Sequence, residues 1–248
     1  MITLRSLPYA FLILLAGCSH PAPKATVIVL DTSLSITPRA EKAALDAIQV
    51  QILHLGRGDT LILIPITGDA QNDAGGRILR LHAPTIREPY DADLRRFRAD
   101  AQKQFAAWIV TVHAESSRTD ILGALDAARQ ELASLPKENN RRLIVVSDFL
   151  EDDGAYRFTT DGSLRNPARA REFAARLHAQ RGLALPSAFP CLGRLESSDF
   201  APLSAERKEA VQAFWKAYLA GNGREPEIQV DGIGLLTGTD AACSGERR

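Results

Sequence analysis

The run Val27-Ile28-Val29-Leu30-Asp31-Thr32-Ser33-Leu34-Ser35 places an acid and two hydroxyls at alternate positions directly after four apolar residues. Four apolar residues in succession predict a buried strand. Side chains on an extended chain alternate in direction, so Asp31, Ser33 and Ser35 can converge if the strand persists or the loop curls back. A carboxylate with hydroxyls offers only hard oxygen ligands, which suit magnesium, manganese or calcium rather than zinc or copper. A site of this kind binds something and need do no chemistry. A second acid, Asp148, closes the apolar run Leu143-Ile144-Val145-Val146-Ser147-Asp148.

The elements that must position these residues follow from periodicity. Thr37-Pro38 opens a helix, with Leu45, Ile48, Ile52 and Leu55 at helical spacing and Gly56 as its stop. Asp59 to Thr67 reads as a strand buried on both faces, Asn72 to Gly76 as a turn, and Arg77 to His82 as an edge strand. Asp91 to Val110 is helical, and another helix starts near Asp120. Arg141-Arg142 leads into the strand that ends at Asp148. Pro167 to Gln180 reads as helix, Gly182 to Ala188 as a strand, Ser204 to Ala220 as helix and Glu227 to Leu236 as a last strand. Strands alternating with helices predict an α/β fold: a mostly parallel central sheet of about six strands with helices on both faces. Ligands bind such sheets beyond the carboxyl ends of strands, where Asp31 and Asp148 both lie.

With these residues in place the chain resembles the von Willebrand factor type A family, or integrin I-domain-like fold. The metal-site motif Asp-x-Ser-x-Ser is present as Asp31, Ser33 and Ser35. The family's threonine before a helix is present in Ser117-Arg118-Thr119-Asp120-Ile121-Leu122-Gly123-Ala124-Leu125, and its aspartate after a later strand as Asp148. The resemblance covers Thr26 to about Leu236. It implies a Rossmann-like sheet with one short antiparallel edge strand, and a divalent ion held by Asp31, Ser33, Ser35, Thr119 and Asp148. It also implies an open coordination position that takes an acidic side chain from a partner protein. Magnesium or manganese is the expected ion. Two features depart from the pattern. Phe149 follows Asp148 where the family often has glycine, so its ring could narrow or cover the site. Glu151-Asp152-Asp153 adds negative charge nearby, and reads as a solvated loop.

The chain has 248 residues and formal net charge zero, which describes one globular domain with a sizeable core. Zero net charge gives no reason to invoke nucleic acid or an acidic membrane surface. Arg5 and the short apolar run Leu7 to Ala16 form a targeting segment, too short to span a bilayer comfortably. It closes with Leu15-Ala16-Gly17-Cys18, which resembles the bacterial lipobox, so Cys18 is the expected lipidation site. Ser19 after the cysteine leans toward the outer membrane by resemblance to enterobacterial sorting. The expected organisation is a signal peptide over 1–17, a lipidated tether over 18–25, the type A domain over 26–237 and a tail over 238–248. The domain would face the periplasm, held to the membrane through Cys18. In that oxidising compartment Cys191 and Cys243 are candidates for a disulfide.

The expected function is divalent-metal-dependent protein–protein binding at the cell envelope, without catalysis. Two alternatives compete. A metal-independent scaffold of the same fold would dock partners on the Phe214-Trp215-Tyr218 face if that face were exposed. A phosphohydrolase would use Asp31 as nucleophile, but its motif needs a second acid where Ser33 stands. The histidines, His20, His54, His82, His113 and His178, are scattered without ligand spacing, and no P-loop, HExxH or Gly-x-Ser-x-Gly motif occurs.

Overall fold

Strand β1 (Lys24–Asp31) lies at the centre of the sheet because its side chains are apolar on both faces. The computed structural model describes residues 22–70, 77–112, 118–136, 140–182, 185, 190–220 and 224–237. After β1 come α1 (Pro38–His54), β2 (Thr60–Ile66), β3 (Leu79–His82), α2 (Ala92–Val112) and α3 (Ile121–Ser134). Then follow β4 (Asn140–Ser147), α4 (Pro167–Arg181), β5 (Pro190–Arg194), α5 (Ala205–Tyr218), β6 (Ile228–Gln229) and a single turn, α6 (Ile233–Leu236). The sheet order is β3-β2-β1-β4-β5-β6, and among the described strands only β3 runs antiparallel. The α/β architecture expected from the sequence is therefore present, with Arg80 to His82 inside the antiparallel edge.

The period of two along β1 divides the core. Val27 and Val29 pack with Ile62, Ile64, Leu143 and Val145 beneath α3, α4 and α5. Ile28 and Leu30 pack on the other face with Leu61, Leu63, Ile144 and Val146, beneath α1, α2 and α6. Burying a leucine or isoleucine is worth about 1.5–3 kcal/mol, so two covered faces hold the strand ends firmly in register. Helix starts are capped as the sequence suggests. Thr37 accepts a hydrogen bond from the Ala40 amide (3.3 Å) ahead of Pro38, and Ser204 accepts one from Arg207 (3.2 Å).

Two expectations need correction. Gly182 does not begin a strand; it terminates α4 in the left-handed region (φ 63°), most of the expected run to Ala188 lies outside the described residues, and the described strand is Pro190–Arg194. The run from Glu227 yields strand only at Ile228–Gln229, and Ile233–Leu236 is helical. The cause is a close crossing in which the Gly232 amide donates to the Arg194 carbonyl (3.1 Å). A Cβ on Gly193 would lie 2.5 Å from the Gly232 Cα, so neither backbone can carry a side chain there. Gly193→Ala should accordingly destabilise the chain by about 1–3 kcal/mol in urea unfolding, with loss of the β5–α6 crossing. The Phe214-Trp215-Tyr218 face is completely buried, the core face that its helical spacing with Val211 suggests, so it is not a docking surface.

The expected turn over 72–76, His113 and Cys18 lie outside the described residues. Cys191 is buried in β5 and disulfide-bonded. The sulfur that pairs with it, expected to be that of Cys243, lies outside the described residues. Among the described residues no helix is long and apolar enough to cross a membrane.

Candidate metal centre

The carboxyl ends of β1 and β4 are adjacent, and this adjacency builds the site. Asp31 closes β1 with both oxygens held: Oδ1 accepts from the Ser33 amide (2.9 Å) and Oδ2 from the Ser147 hydroxyl (2.5 Å). The chain then turns, and the Ser33 and Ser35 hydroxyls lie 3.0 Å apart. The Ser35 hydroxyl donates to Asp148 Oδ2 (3.0 Å), while Asp148 Oδ1 accepts from the Leu150 amide (2.9 Å). Four of the five expected residues thus form one continuous hydrogen-bonded chain from Asp31 to Asp148. Thr119 completes the set from the α3 side. It shares a cavity of about 240 Å³ with Ser33, Ser35, Glu151, Asp152 and Asp199. Leu34, 68% exposed, stands on its rim.

Several residues that position this set were not singled out from the sequence. Ser147 fixes Asp31. Ser197 helps hold the Asp148 carboxyl down against burial, and accepts from the Asp199 (3.1 Å) and Phe200 (3.2 Å) amides. The Ser198 amide donates to the Ser35 carbonyl (2.9 Å), and the Thr37 amide to the Glu196 carbonyl (3.0 Å). The loop after β5 therefore clamps the loop after β1. A signal existed: Glu196-Ser197-Ser198-Asp199 is a polar strand-end run like that after β1. Placing the strand too early, at Gly182, concealed it.

Phe149 does not cover the site. Its backbone adopts φ 65°, which explains why glycine suits this position. The ring turns into the core, 6.1 Å from that of Trp215, whose indole N–H donates to the Phe149 carbonyl (2.8 Å). Glu151-Asp152-Asp153 is not a solvated loop either. Glu151 is fully buried, and its Oε2 accepts from the Ile121 and Leu122 amides (both 3.1 Å) at the start of α3. Its Oε1 has no hydrogen-bond partner. Asp152 pairs backbone to backbone with Thr119 (3.0 and 2.8 Å), which sets the threonine in place. Asp120, Glu151 and Asp153 bring one oxygen each within 4.8 Å of one another. Much of that charge faces amides: Asp120 accepts from Gly123 (2.6 Å) and Ala70 (3.1 Å), and Asp153 from Ala155 and Tyr156 (both 2.8 Å).

The electrostatics favour a cation. Burial raises the Asp31 carboxyl, against hydrogen bonds from Ser147 and Ser33. Burial, followed by the charge of Asp31, raises Asp148 to about 7. Two buried carboxylates that repel each other are relieved either by a proton or by a positive ion. The donor set fits such an ion: two acids and three hydroxyls, all hard oxygen, beside a cavity open to solvent.

No protein-family model matches the chain, and no curated protein matches it. Among solved structures, the chain is similar to the manganese-loaded TRAP protein of Plasmodium vivax, at 12% identity over 87% of this chain and 71% of that one (TM-score 0.43). It is also similar to an aerotolerance-related membrane protein of Bacteroides fragilis, at 15% identity over 89% and 98% (TM-score 0.43). A von Willebrand factor type A protein of Catenulispora acidiphila is similar at 19% identity over 79% of this chain and 43% of that one (TM-score 0.40). Likeness at this distance transfers neither ligand nor activity.

Proposed function

We propose that the chain is an envelope-anchored, von Willebrand type A-like domain that binds partner proteins through a divalent ion and catalyses nothing. The observation that carries this reading is the hydrogen-bonded chain Asp31–Ser33–Ser35–Asp148 opening, with Thr119, onto a solvent cavity. A bound magnesium or manganese ion would offer a coordination position to an acidic side chain of the partner. The protein's own residues do the rest. Ser33, Ser35 and Thr119 present oxygens to the cavity, while Asp31 and Asp148 supply the charge beneath them. Leu34 adds an apolar contact at the rim.

Anchoring at Cys18 fits the geometry of β1. Lys24 and Asp31 stand at opposite ends of the strand, about 23 Å apart at roughly 3.3 Å per residue. A lipid near Lys24 leaves the hydroxyl face pointing away from the membrane.

Two observations weigh against the alternatives. Asp31 is buried with both oxygens occupied by donors, a poor arrangement for a nucleophile. The aromatic face on which a metal-free scaffold would rest is core. Peptides carrying a single central glutamate, displayed on beads, should retain the chain in magnesium and release it in chelator. Retention that survives chelator, or that persists when glutamine replaces glutamate, would favour the metal-free scaffold. Turnover of a generic phosphate ester that is lost in Asp31→Asn would restore the enzyme reading; none is expected.

A further inference from the structure

The end of the domain opposite the hydroxyl site carries its own surface feature. The loop between β3 and α2 exposes Ile86 (80%) and Tyr90 (90%), two large apolar side chains within five positions. This exposure is built into the loop. Tyr90 and Asp91 both adopt left-handed backbone (φ 57° and 52°), which non-glycine residues occupy at a cost. Arg57 holds that turn in place. Its guanidinium pairs with Asp93 (2.5 and 2.9 Å) and Asp91 (2.8 Å), and donates to the Ile86 carbonyl (2.6 Å). Arg95 donates to the Tyr90 carbonyl. The strain therefore persists in a fixed turn whose tyrosine points outward.

The loop also lies where the chain emerges. Pro23 and Thr85 both flank Gly58: a Cβ there would lie 3.1 Å from Pro23 and 3.7 Å from Thr85. The Gly58 amide donates to the Pro84 carbonyl (3.2 Å), and the Asn140 amide to the Pro23 carbonyl (3.0 Å). Cys18 precedes Pro23 by five residues, a reach of about 18 Å at most. A lipid on Cys18 would hold this end of the domain against the bilayer. Isoleucine and tyrosine suit the interfacial zone, where an apolar body enters and a phenol hydroxyl stays wet. Arg87, Arg95 and Arg96 are exposed around them, Arg87 paired with Asp91 (3.4 Å) and Arg96 with Glu88 (2.7 Å) at the water-facing surface. Their stems can lie along the acyl boundary while the guanidinium groups meet phosphate.

We infer that the loop from Thr85 to Asp91 rests on the bilayer that carries the anchor, with Ile86 and Tyr90 set into its interfacial region. The inference rests on the anchoring at Cys18 proposed above. It fixes the orientation of the domain, because a tether alone permits tumbling whereas a seated loop holds the hydroxyl face outward. Tethering raises the local concentration of the membrane, so a small patch suffices.

The test uses the full chain, made in cells that lipidate it and reconstituted into vesicles of phosphatidylethanolamine and phosphatidylglycerol. A polarity-sensitive fluorophore is placed by Thr85→Cys, and separately by Val110→Cys, an exposed position on α2 away from the loop. The label at 85 should shift to the blue and be quenched by shallow spin-labelled lipid, while the label at 110 stays unquenched. Ile86→Ser with Tyr90→Ser should abolish the effect at 85. Palmitate labelling of Cys18 reports the anchor independently. A lipidated chain without quenching at 85 overturns the inference, as does a blue shift that persists without vesicles, which would mark a second copy or the chain's own leader on the patch. For a chain found without lipid, the same labels are read after adding it to the vesicles. Quenching at 85 would then sustain the patch and lose the anchor, and its absence would overturn the patch.

Discussion

Stripped of divalent ions, the full chain should lose stability as pH rises from about 4 to just above 7, and magnesium should remove that loss. An acid whose pKa is raised by folding takes up a proton when the chain folds. Its contribution is favourable at low pH and lost as pH climbs from the unfolded value through the folded one. Asp31 and Asp148 both start from 3.8 and both move up, Asp148 to about 7 through burial and the charge of Asp31. For Asp148 the window therefore opens near 4 and closes just above 7, with a slope of at most about 1.4 kcal/mol per pH unit for each proton. A cation in the site replaces the proton, so the ion-loaded slope should flatten. At a hundred times its dissociation constant the ion should add about 2.7 kcal/mol, read as a rise in melting temperature. Asp148→Asn separates the causes. It keeps an oxygen for the Leu150 amide and removes one buried charge. Its metal-free form should melt higher than the parent at pH 8, with little further rise in magnesium. Ser33→Ala should keep the pH slope and lose the magnesium response. A full magnesium response in Asp148→Asn would remove this site from the account.

The residues carrying the chemistry could be read in the sequence because each closes a strongly apolar strand or opens a strongly periodic helix. Val27 to Leu30 and Leu143 to Val146 fit only the middle of a covered sheet, which puts Asp31 and Asp148 side by side at its carboxyl edge. The supports were harder to read because they act across the chain. Ser147 bonds Asp31 at a separation of 116 residues, and Ser198 meets Ser35 at 163. No local pattern encodes such pairs. Phe149 was misjudged for a different reason. An aromatic after an aspartate expected to serve a metal suggests obstruction, but its positive φ turns the ring toward Trp215 and away from the cavity. The last strand failed because Gly193 and Gly232 encode a backbone crossing, not an extended run.

Glu151→Ala should cost about 2–5 kcal/mol in urea unfolding, whereas Glu151→Gln should stay near the parent. Glu151 looks like part of a solvated acidic loop in the sequence, yet its Oε2 receives two amides at the buried start of α3. Alanine leaves both donors without a partner, at about 1–3 kcal/mol each. Glutamine supplies an oxygen at the same reach and removes a carboxyl that burial, then Asp120 and Asp153, push well above its ordinary value. Relief of that charge offsets what the neutral acceptor loses. The consequence reaches the site. Thr119 stands two residues before Ile121 and is held by two backbone bonds to Asp152, the residue after Glu151. Loosening this junction should weaken the magnesium response of Glu151→Ala beyond what lowered stability explains. Gly58→Ala supplies the comparison, because its positive φ (73°) makes a side chain there strained, which destabilises the opposite end of the sheet without touching Thr119. It should retain the full magnesium increment. If Glu151→Ala retains it as well, Thr119 owes its position to the Asp152 backbone alone, and Glu151 serves only as a cap for α3.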